Sequence, residues 1–344
     1  MASFEIAGRK VGKGYPPLVI AEIGINHDGD VRKAVRIVDD AGKAGCECVK
    51  FQTHILSTEM IPNTVIPGNA TESIWEIISK ASLLAEEERF LKEYTAKKGI
   101  IFLSTPFSKE AADRLEELNV SAYKIGSGEC NNYPLVQHIA NFRKPVILST
   151  GMNDIQSIYP AVEIFRKAGV PFALMQCTSI YPTPYNKVNL GGIADLQRAF
   201  PDAVIGISDH SIGNYTCYAA VSLGASIIEK HFTSDKSWSG PDNPISIDPK
   251  ELKELVVGTK AIYEAMGGEK RILPEEEPTI RFAYSCVVTL ENITKGEVLT
   301  NKNVGIKRPG TGEIKAKEYP DILGKKAGRN IPKDHQLQWG DVIT

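Results

Sequence analysis

Ala203-Val-Ile-Gly-Ile-Ser-Asp-His210 and Ser226-Ile-Ile-Glu-Lys-His231 set the reading of the whole chain. Each is a short apolar run of the kind a buried parallel strand requires, and each ends on a histidine. Residues 214–224 between them have the character of a short helix. The result is a strand–helix–strand unit with two imidazoles side by side at the carboxyl ends of neighbouring strands. Ligands bind at that end of α/β folds. Neutral imidazole is also the commonest side-chain ligand for divalent transition metals.

Working outward, the same alternation fills most of the chain. Strands are expected at 18–25, 46–52, 100–105, 122–126, 145–149 and 171–177, ahead of the two histidine strands. Helices are expected at 31–45, 85–98, 109–118, 134–142, 154–169, 192–200, 214–224 and 248–266. In the first helix Val31, Ala34, Val35 and Val38 share one face. Residues 4–11 read as a short strand or hairpin, and 56–80 as a long insertion of the kind that covers active sites. Eight strand–helix repeats over about 250 residues predict a (β/α)8 TIM barrel. A doubly wound sheet would carry a Gly-rich nucleotide loop after its first strand, and the sequence has none. The charged, proline-containing stretch 267–278 reads as a linker, and short strands with Gly and Pro turns follow from about 281. The expected division is a barrel over 1–275, a linker over 276–283 and a small β-rich domain over 284–344, near the lower size for independent stability.

Composition is ordinary for a soluble globular protein. Of 344 residues, 42% are apolar and 24% charged, and 40 basic against 42 acidic residues leave a net charge of −2. That balance argues against nucleic acid as the main partner. No apolar run is long enough to span a bilayer, and the start lacks a signal peptide, so a cytoplasmic protein is expected. The six cysteines are scattered without zinc spacing and read as buried reduced thiols.

Barrel chemistry sits at the carboxyl ends of the strands. The polar residues there are Glu22, Asn26, Lys50, Gln52, Thr105, Lys124, Ser127, Glu129, Ser149, Ser179, Tyr181, Ser208, His210 and His231. Alternation puts Glu22 with Asn26, Lys50 with Gln52, and Ser208 with His210. Parity breaks between Lys124 and Ser127, where Gly126 is positioned to supply a bulge. Two lysines in apolar strands are costly to bury unpaired. With several hydroxyls at equivalent heights they favour a phosphate or carboxylate site over simple pairing with Glu22 or Glu129. Two histidines at one height favour an open metal site over core packing. Glu229, one layer below His231, either orients that histidine or is paired in the core. His27 and His54 read as packing or loop residues. Carboxylates, amides and Tyr181 suit a polyhydroxylated substrate, and Asn69 and Asp242 lie in loops able to reach over the mouth.

Seven motifs in register then identify a resemblance. They are Ala21-Glu-Ile-Gly-Ile-Asn-His-Asp-Gly29, Lys50-Phe-Gln-Thr-His54, Lys124-Ile-Gly-Ser-Gly-Glu-Cys-Asn-Asn132, Leu148-Ser-Thr-Gly-Met152, Cys177-Thr-Ser-Ile-Tyr-Pro182, Gly206-Ile-Ser-Asp-His210 and Glu229-Lys-His-Phe-Thr233. Together they resemble the bacterial sialic acid synthases, which make N-acetylneuraminate from phosphoenolpyruvate and N-acetylmannosamine. The C-terminal stretch with Lys307-Arg-Pro-Gly310 resembles that family's antifreeze-protein-like (SAF) domain.

The resemblance implies a domain-swapped homodimer, with Arg308 reaching into the partner's site to hold an acetamido group. It implies Mn²⁺, or another divalent ion such as Mg²⁺ or Co²⁺, on His210 and His231. It sets phosphoenolpyruvate against Lys50, Thr105, Lys124, Ser127, Ser149, Ser179 and Ser208. The open-chain sugar would meet Glu22, Gln52, Asn69, Glu129, Tyr181 and Asp242. C3 of phosphoenolpyruvate would attack the sugar aldehyde, and water would add at C2 before phosphate leaves by C–O cleavage. Glu22 would position that water or move a proton. Phe51 and Ser179 stand where some members of the family carry histidine and asparagine. Synthases of legionaminic and pseudaminic acids share most motifs but use 2,4-diacetamido hexoses. Residues 54–69, 129–134 and 239–242 look closer to the N-acetylneuraminate type. The rival readings are a Schiff-base aldolase using Lys50 or Lys124 and a non-catalytic carbohydrate-binding protein.

Overall fold

The computed structural model describes residues 2–344, which fall into two compact units divided between Gly267 and Gly268. In the first unit, eight parallel strands make one sheet. They are β1 (Leu18–Gly24), β2 (Cys48–Thr53), β3 (Ile101–Pro106), β4 (Tyr123–Ile125), β5 (Val146–Ser149), β6 (Phe172–Cys177), β7 (Val204–Asp209) and β8 (Ile227–His231). The spatial order is β3-β2-β1-β8-β7-β6-β5-β4. The two end strands, β3 and β4, pack against each other, so the sheet curls into a nearly closed barrel. One long helix follows each strand: α1 (Val31–Lys43), α2 (Ala85–Lys97), α3 (Lys109–Glu117), α4 (Tyr133–Asn141), α5 (Ile155–Ala168), α6 (Gly191–Ala199), α7 (Tyr215–Ser222) and α8 (Pro249–Ala265).

Local chemistry sets the ends of these helices. Asp30 caps α1 by accepting from the Arg32 amide. Asp248 and Glu251 form a reciprocal capping box at the start of α8, with Pro249 in its first turn. The buried face of α1 is Ala34, Ile37, Val38 and Ala41. Val31 and Val35 are only partly buried, so the expected stripe is rotated toward Ile37. Two short helices, Leu56–Glu59 and Ile74–Ala81, lie within the insertion after β2.

The barrel interior changes character along its axis, and strand alternation explains how. Its amino-terminal layer is apolar, with Leu18, Ile20, Leu103, Ile147, Met175 and Ile227 fully buried. A hairpin of Ser3–Ile6 and Arg9–Gly12 adds Ile6 and Val11 to that cluster. Each such aliphatic side chain contributes roughly 1.5–3 kcal/mol. Two residues further along the same strand faces, Ile20 gives way to Glu22, Cys48 to Lys50, Ala122 to Lys124, Ile147 to Ser149 and Ile227 to Glu229. Gly206 keeps the inner wall tight. A Cβ there would meet the Met175 sulfur and lie 2.6 Å from the Ile227 carbonyl oxygen.

The second unit has two antiparallel pairs, Cys286–Thr289 with Val304–Lys307 and Lys326–Ala327 with Val342–Ile343. Val287, Ile293, Leu299, Val304, Ile314 and Leu337 belong to its own core. The stretch read as a linker is helical over Glu277–Ala283. Of the short strands expected after about 281, residues 295–299 and 336–338 form only single bridges, at Val298 and Gln336. Among the described residues no helix is long and apolar enough to cross a membrane, and all six cysteines are free and buried.

Candidate active site

Four charged side chains meet in the carboxyl half of the barrel. Lys50 Nζ lies 2.7 Å from Glu22 Oε2 and 3.9 Å from Glu229 Oε1, and Lys124 Nζ lies 3.4 Å from that same Glu229 oxygen. Ladder register brings them together, because Glu22 pairs with Lys50 and Glu229 with Ser208. Lys50 also donates to Thr105 Oγ1 at 3.1 Å, Lys124 to Ser149 Oγ at 2.7 Å, and Ser208 to Glu229 Oε1 at 3.0 Å. All seven are buried. Charges this deep persist only when paired and hydrogen-bonded.

The carboxylates nevertheless differ. Burial, helped by Glu229 and opposed by Lys50, raises Glu22 to about 7. Glu229 is also pushed up by burial, but Lys124 and Lys50 outweigh that and leave it below the ordinary range. Glu229 therefore stays ionised while Glu22 is poised to exchange a proton near neutrality.

Above this floor stand the two imidazoles, their ring centroids 5.3 Å apart. His210 donates from Nδ1 to the Thr178 carbonyl at 3.0 Å, which leaves Nε2 with its lone pair available. The Cys177 sulfur is 3.9 Å from the same Nδ1. Burial disfavours charge on His210, but Cys177 more than offsets it, so its pKa rises. Burial, reinforced by His210, holds His231 well below its ordinary value, hence neutral. His231 Nδ1 is buried without a hydrogen-bond partner, its closest acid being Asp242 Oδ2 at 3.7 Å. An unpartnered neutral nitrogen on a ring beside a second imidazole fits an open, two-ligand metal set. Among the described residues no group of three or more His, Cys, Asp or Glu side chains is arranged around a metal position.

Beside the histidines opens a cavity of about 380 Å³. Gln52, Asn69, Glu129, Tyr181, His231 and Asp242 form its polar side. Its other wall is apolar and includes Ile25, Met60, Ile74, Ile77, Ile78 and Phe107. Burial raises Asp242 to about 6 against the pull of His210 and Lys50. Burial also raises Tyr181, with Cys177 and Asp242 adding to it, so the phenol stays protonated. Asn69 reaches the cavity from the insertion and donates to the Pro241 carbonyl at 3.1 Å.

Several residues stand differently from the sequence reading. Asn26 is fully buried and ties the Phe232 carbonyl (3.0 Å) to Ser246 Oγ (2.9 Å), so it braces a loop rather than facing the cavity. The parity break after Lys124 is no bulge, because β4 ends at Ile125 and Ser127–Glu129 is a 3-10 turn. Glu129 accepts from Asn132 at 2.6 Å and pairs with neither lysine. Arg308 belongs to the second unit and is exposed.

Three contributors have roles beyond the sequence reading. Glu229, read as orienting His231 or paired in the core, is paired, and it joins both lysines. His54, read as a packing or loop residue, does lie in the loop after β2 and stacks on Phe107, and it also bridges the Glu59 carboxylate (Nδ1, 2.8 Å) and Gln52 Oε1 (Nε2, 3.0 Å). Gln52 in turn donates to Glu22 Oε1 at 3.2 Å. Gly151 is the third. Its amide donates to Ser127 Oγ at 3.0 Å, and a Cβ there would collide with Ser179 Oγ and lie 2.9 Å from Ser127 Oγ.

Fold and site together define a (β/α)8 barrel with a buried lysine–glutamate floor, a histidine pair at its rim and an appended small β unit. The chain belongs to the NeuB family, which matches residues 37–271, and residues 284–343 match the SAF domain. It is 38% identical to the N,N'-diacetyllegionaminic acid synthase of Campylobacter jejuni, over 93% of this chain and 98% of that protein. It is 34% identical to human N-acetylneuraminate-9-phosphate synthase, over 96% of this chain and 94% of that one. The crystal structure of N-acetylneuraminic acid synthetase from Leptospira borgpetersenii in complex with citrate superposes with a TM-score of 0.75 at 35% identity, covering 81% of this chain and 95% of that one.

Proposed function

We propose that the chain is an N-acetylneuraminate synthase that condenses phosphoenolpyruvate with N-acetylmannosamine and water, releasing N-acetylneuraminate and phosphate. The observation that carries this reading is the buried Glu22–Lys50–Glu229–Lys124 floor beneath the histidine pair, with a polar cavity beside it. The two lysines, with Thr105, Ser127, Ser149, Ser179 and Ser208, hold the phosphate and carboxylate of phosphoenolpyruvate. They stabilise phosphate charge as it develops. Gln52, Asn69, Glu129, Tyr181 and Asp242 hold the hydroxyls of the open-chain sugar.

His210 and His231 would hold a divalent cation, Mn²⁺ in this reading, which when bound supplies Lewis-acid polarisation of the sugar aldehyde. C3 of phosphoenolpyruvate bonds to C1 of the sugar as the C1=O π pair moves to the aldehyde oxygen, which takes a proton, and water adds at the electron-poor C2 that this leaves. The tetrahedral intermediate then expels phosphate by breaking the C2–O bond. Glu22, raised to about 7, takes the proton of that water. A Schiff base would need a free amine, whereas both lysines sit in ion pairs. A cytoplasmic homodimer belongs to the same proposal, with the partner's small unit bringing its own copy of the Arg308 guanidinium to the acetamido group.

The apolar wall of Ile25, Met60, Ile74, Ile77 and Ile78 favours a second reading of the sugar. A second acetamido methyl would be at home there, as in a legionaminic or pseudaminic acid synthase. Phosphoenolpyruvate labelled with ¹⁸O in its bridging oxygen, offered with each sugar in turn, tests both points. Label recovered in inorganic phosphate is expected. Label retained in the sugar acid would mean P–O cleavage and would refute the mechanism, and turnover only with a 2,4-diacetamido hexose would replace the sugar.

A further inference from the structure

Behind the histidine pair, on the outer face of the same two strands, lies a second buried ion pair. Asp209 and Lys230 are register partners across β7 and β8, and each is followed directly by one of the histidines. Lys230 Nζ lies 2.6 Å from Asp209 Oδ2, with the lysine fully buried and the aspartate nearly so. Asp209 Oδ2 also accepts from Thr216 Oγ1 (2.7 Å) and Ser211 Oγ (2.9 Å), and Oδ1 accepts from the Ser211 amide at 3.1 Å. Lys230 Nζ donates to the Ser211 carbonyl as well.

The position of this cluster is its most telling feature. The β7–β8 ladder ends at the Asp209–Lys230 pair, so His210 stands beyond the last rung. Its chain neighbours on both sides, Asp209 and Ser211, are instead tied to Lys230, the residue before His231. The other hydrogen bonds of His210, to the Thr178 carbonyl and from the Thr183 amide, tie it to the loop after β6 and do not reach His231; from that loop only the Tyr181 ring touches both imidazoles, by packing, at centroid distances of 4.2 and 6.2 Å. Stability alone is a weak reason for such a pair, since a buried ion pair is often replaceable by well-packed apolar residues without loss. Metal sites, in contrast, require ligand positions held to a few tenths of an ångström.

We propose that Asp209 and Lys230 form a latch that fixes the separation of His210 and His231, and so act as positioning residues for the cation that pair would hold. The inference rests on the metal reading of the histidines. Its test is Mn²⁺ titration of the full chain, read by the electron paramagnetic resonance of free Mn²⁺, with the thermal midpoint measured alongside. Lys230→Met strands a buried carboxylate and is expected to lose both stability and Mn²⁺ affinity. Asp209→Leu with Lys230→Met is expected to recover most of the thermal midpoint while Mn²⁺ affinity stays about 10–100-fold weaker than in the parent, the usual size of an outer-ligand effect. A folded double variant that binds Mn²⁺ as tightly as the parent would overturn the latch. Thr216→Val removes one donor to Asp209 without stranding a charge and covers the case in which the double variant does not fold. A several-fold weaker Mn²⁺ affinity is expected, and an unchanged one would overturn the inference. Phosphate release by the parent separates this from the proposed function. Turnover with unaltered Mn²⁺ binding in the variants sinks only the latch, and weakened binding without turnover on any sugar sinks only the reaction. A parent chain that takes up no Mn²⁺ overturns both the latch and the metal reading.

Discussion

Replacing Glu88 with glutamine should make the protein more stable in alkaline solution and leave it nearly unchanged in acid. Glu88 sits on α2 with about 1% of its surface exposed, and its Oε1 has no hydrogen-bond partner. Its other oxygen is 3.4 Å from Arg114 on α3. Burial is the dominant influence, opposed by Thr53 and Arg114, and it raises the carboxyl from 4.5 to about 7. The folded chain therefore binds the Glu88 proton more tightly than the unfolded chain does. Stability from this group is complete below about pH 4.5 and declines as the pH rises through about 7. At about 1.4 kcal/mol per pH unit, that interval amounts to about 3 kcal/mol. Glu88→Gln carries no charge to bury and should escape the decline. Urea unfolding of both proteins, followed by circular dichroism from about pH 4 to about pH 8.5, measures the difference. The variant should match the parent at the acid end and exceed it by up to about 3 kcal/mol at the alkaline end. A difference that does not vary with pH would refute the assignment of a buried, neutral Glu88.

Other substitutions bear on the site itself. Glu229→Gln leaves Lys50 and Lys124 short of their shared carboxylate and should cost about 3 kcal/mol in urea unfolding, the usual loss when one member of a buried pair is removed. Gly151→Ala drives a methyl group into the Ser127 and Ser179 hydroxyls and should raise KM for phosphoenolpyruvate at least tenfold while far-ultraviolet circular dichroism stays unchanged. His54→Ala breaks the Glu59–His54–Gln52 relay and should raise KM for the sugar about tenfold, roughly one lost hydrogen bond to a charged network, with KM for phosphoenolpyruvate little changed.

The barrel was legible because its strands announce themselves. A strand buried on both faces must be apolar almost throughout, so each polar residue near a strand end, Lys50 or Glu22 for example, stands out. Period-two alternation gave its face. Alternation does not give a partner, however, and that is why Glu229 could be placed on the inner face without its pairing to both lysines being visible. Those contacts depend on stagger between strands far apart in sequence. Asn26 was misread for a related reason. The register of β1 shifts between Glu22 and Gly24, with Gly24 at a φ of 53°, so parity no longer carries past Glu22. His54 was read as a packing or loop residue without its bridging role, because its partner Glu59 lies on a one-turn helix inside the insertion, where no periodicity exists to read. Gly151 shows its role only when a Cβ is placed among the Ser127 and Ser179 hydroxyls, which three different strand-end loops bring together.

The central claim is a metal-assisted condensation of phosphoenolpyruvate with an acetamido sugar, and phosphate release tests it most directly. The chain is mixed with phosphoenolpyruvate and Mn²⁺, with N-acetylmannosamine or a 2,4-diacetamido hexose, each with and without EDTA. The account predicts release with N-acetylmannosamine that EDTA abolishes and added Mn²⁺ restores. Release with neither sugar, or release indifferent to EDTA, would contradict it.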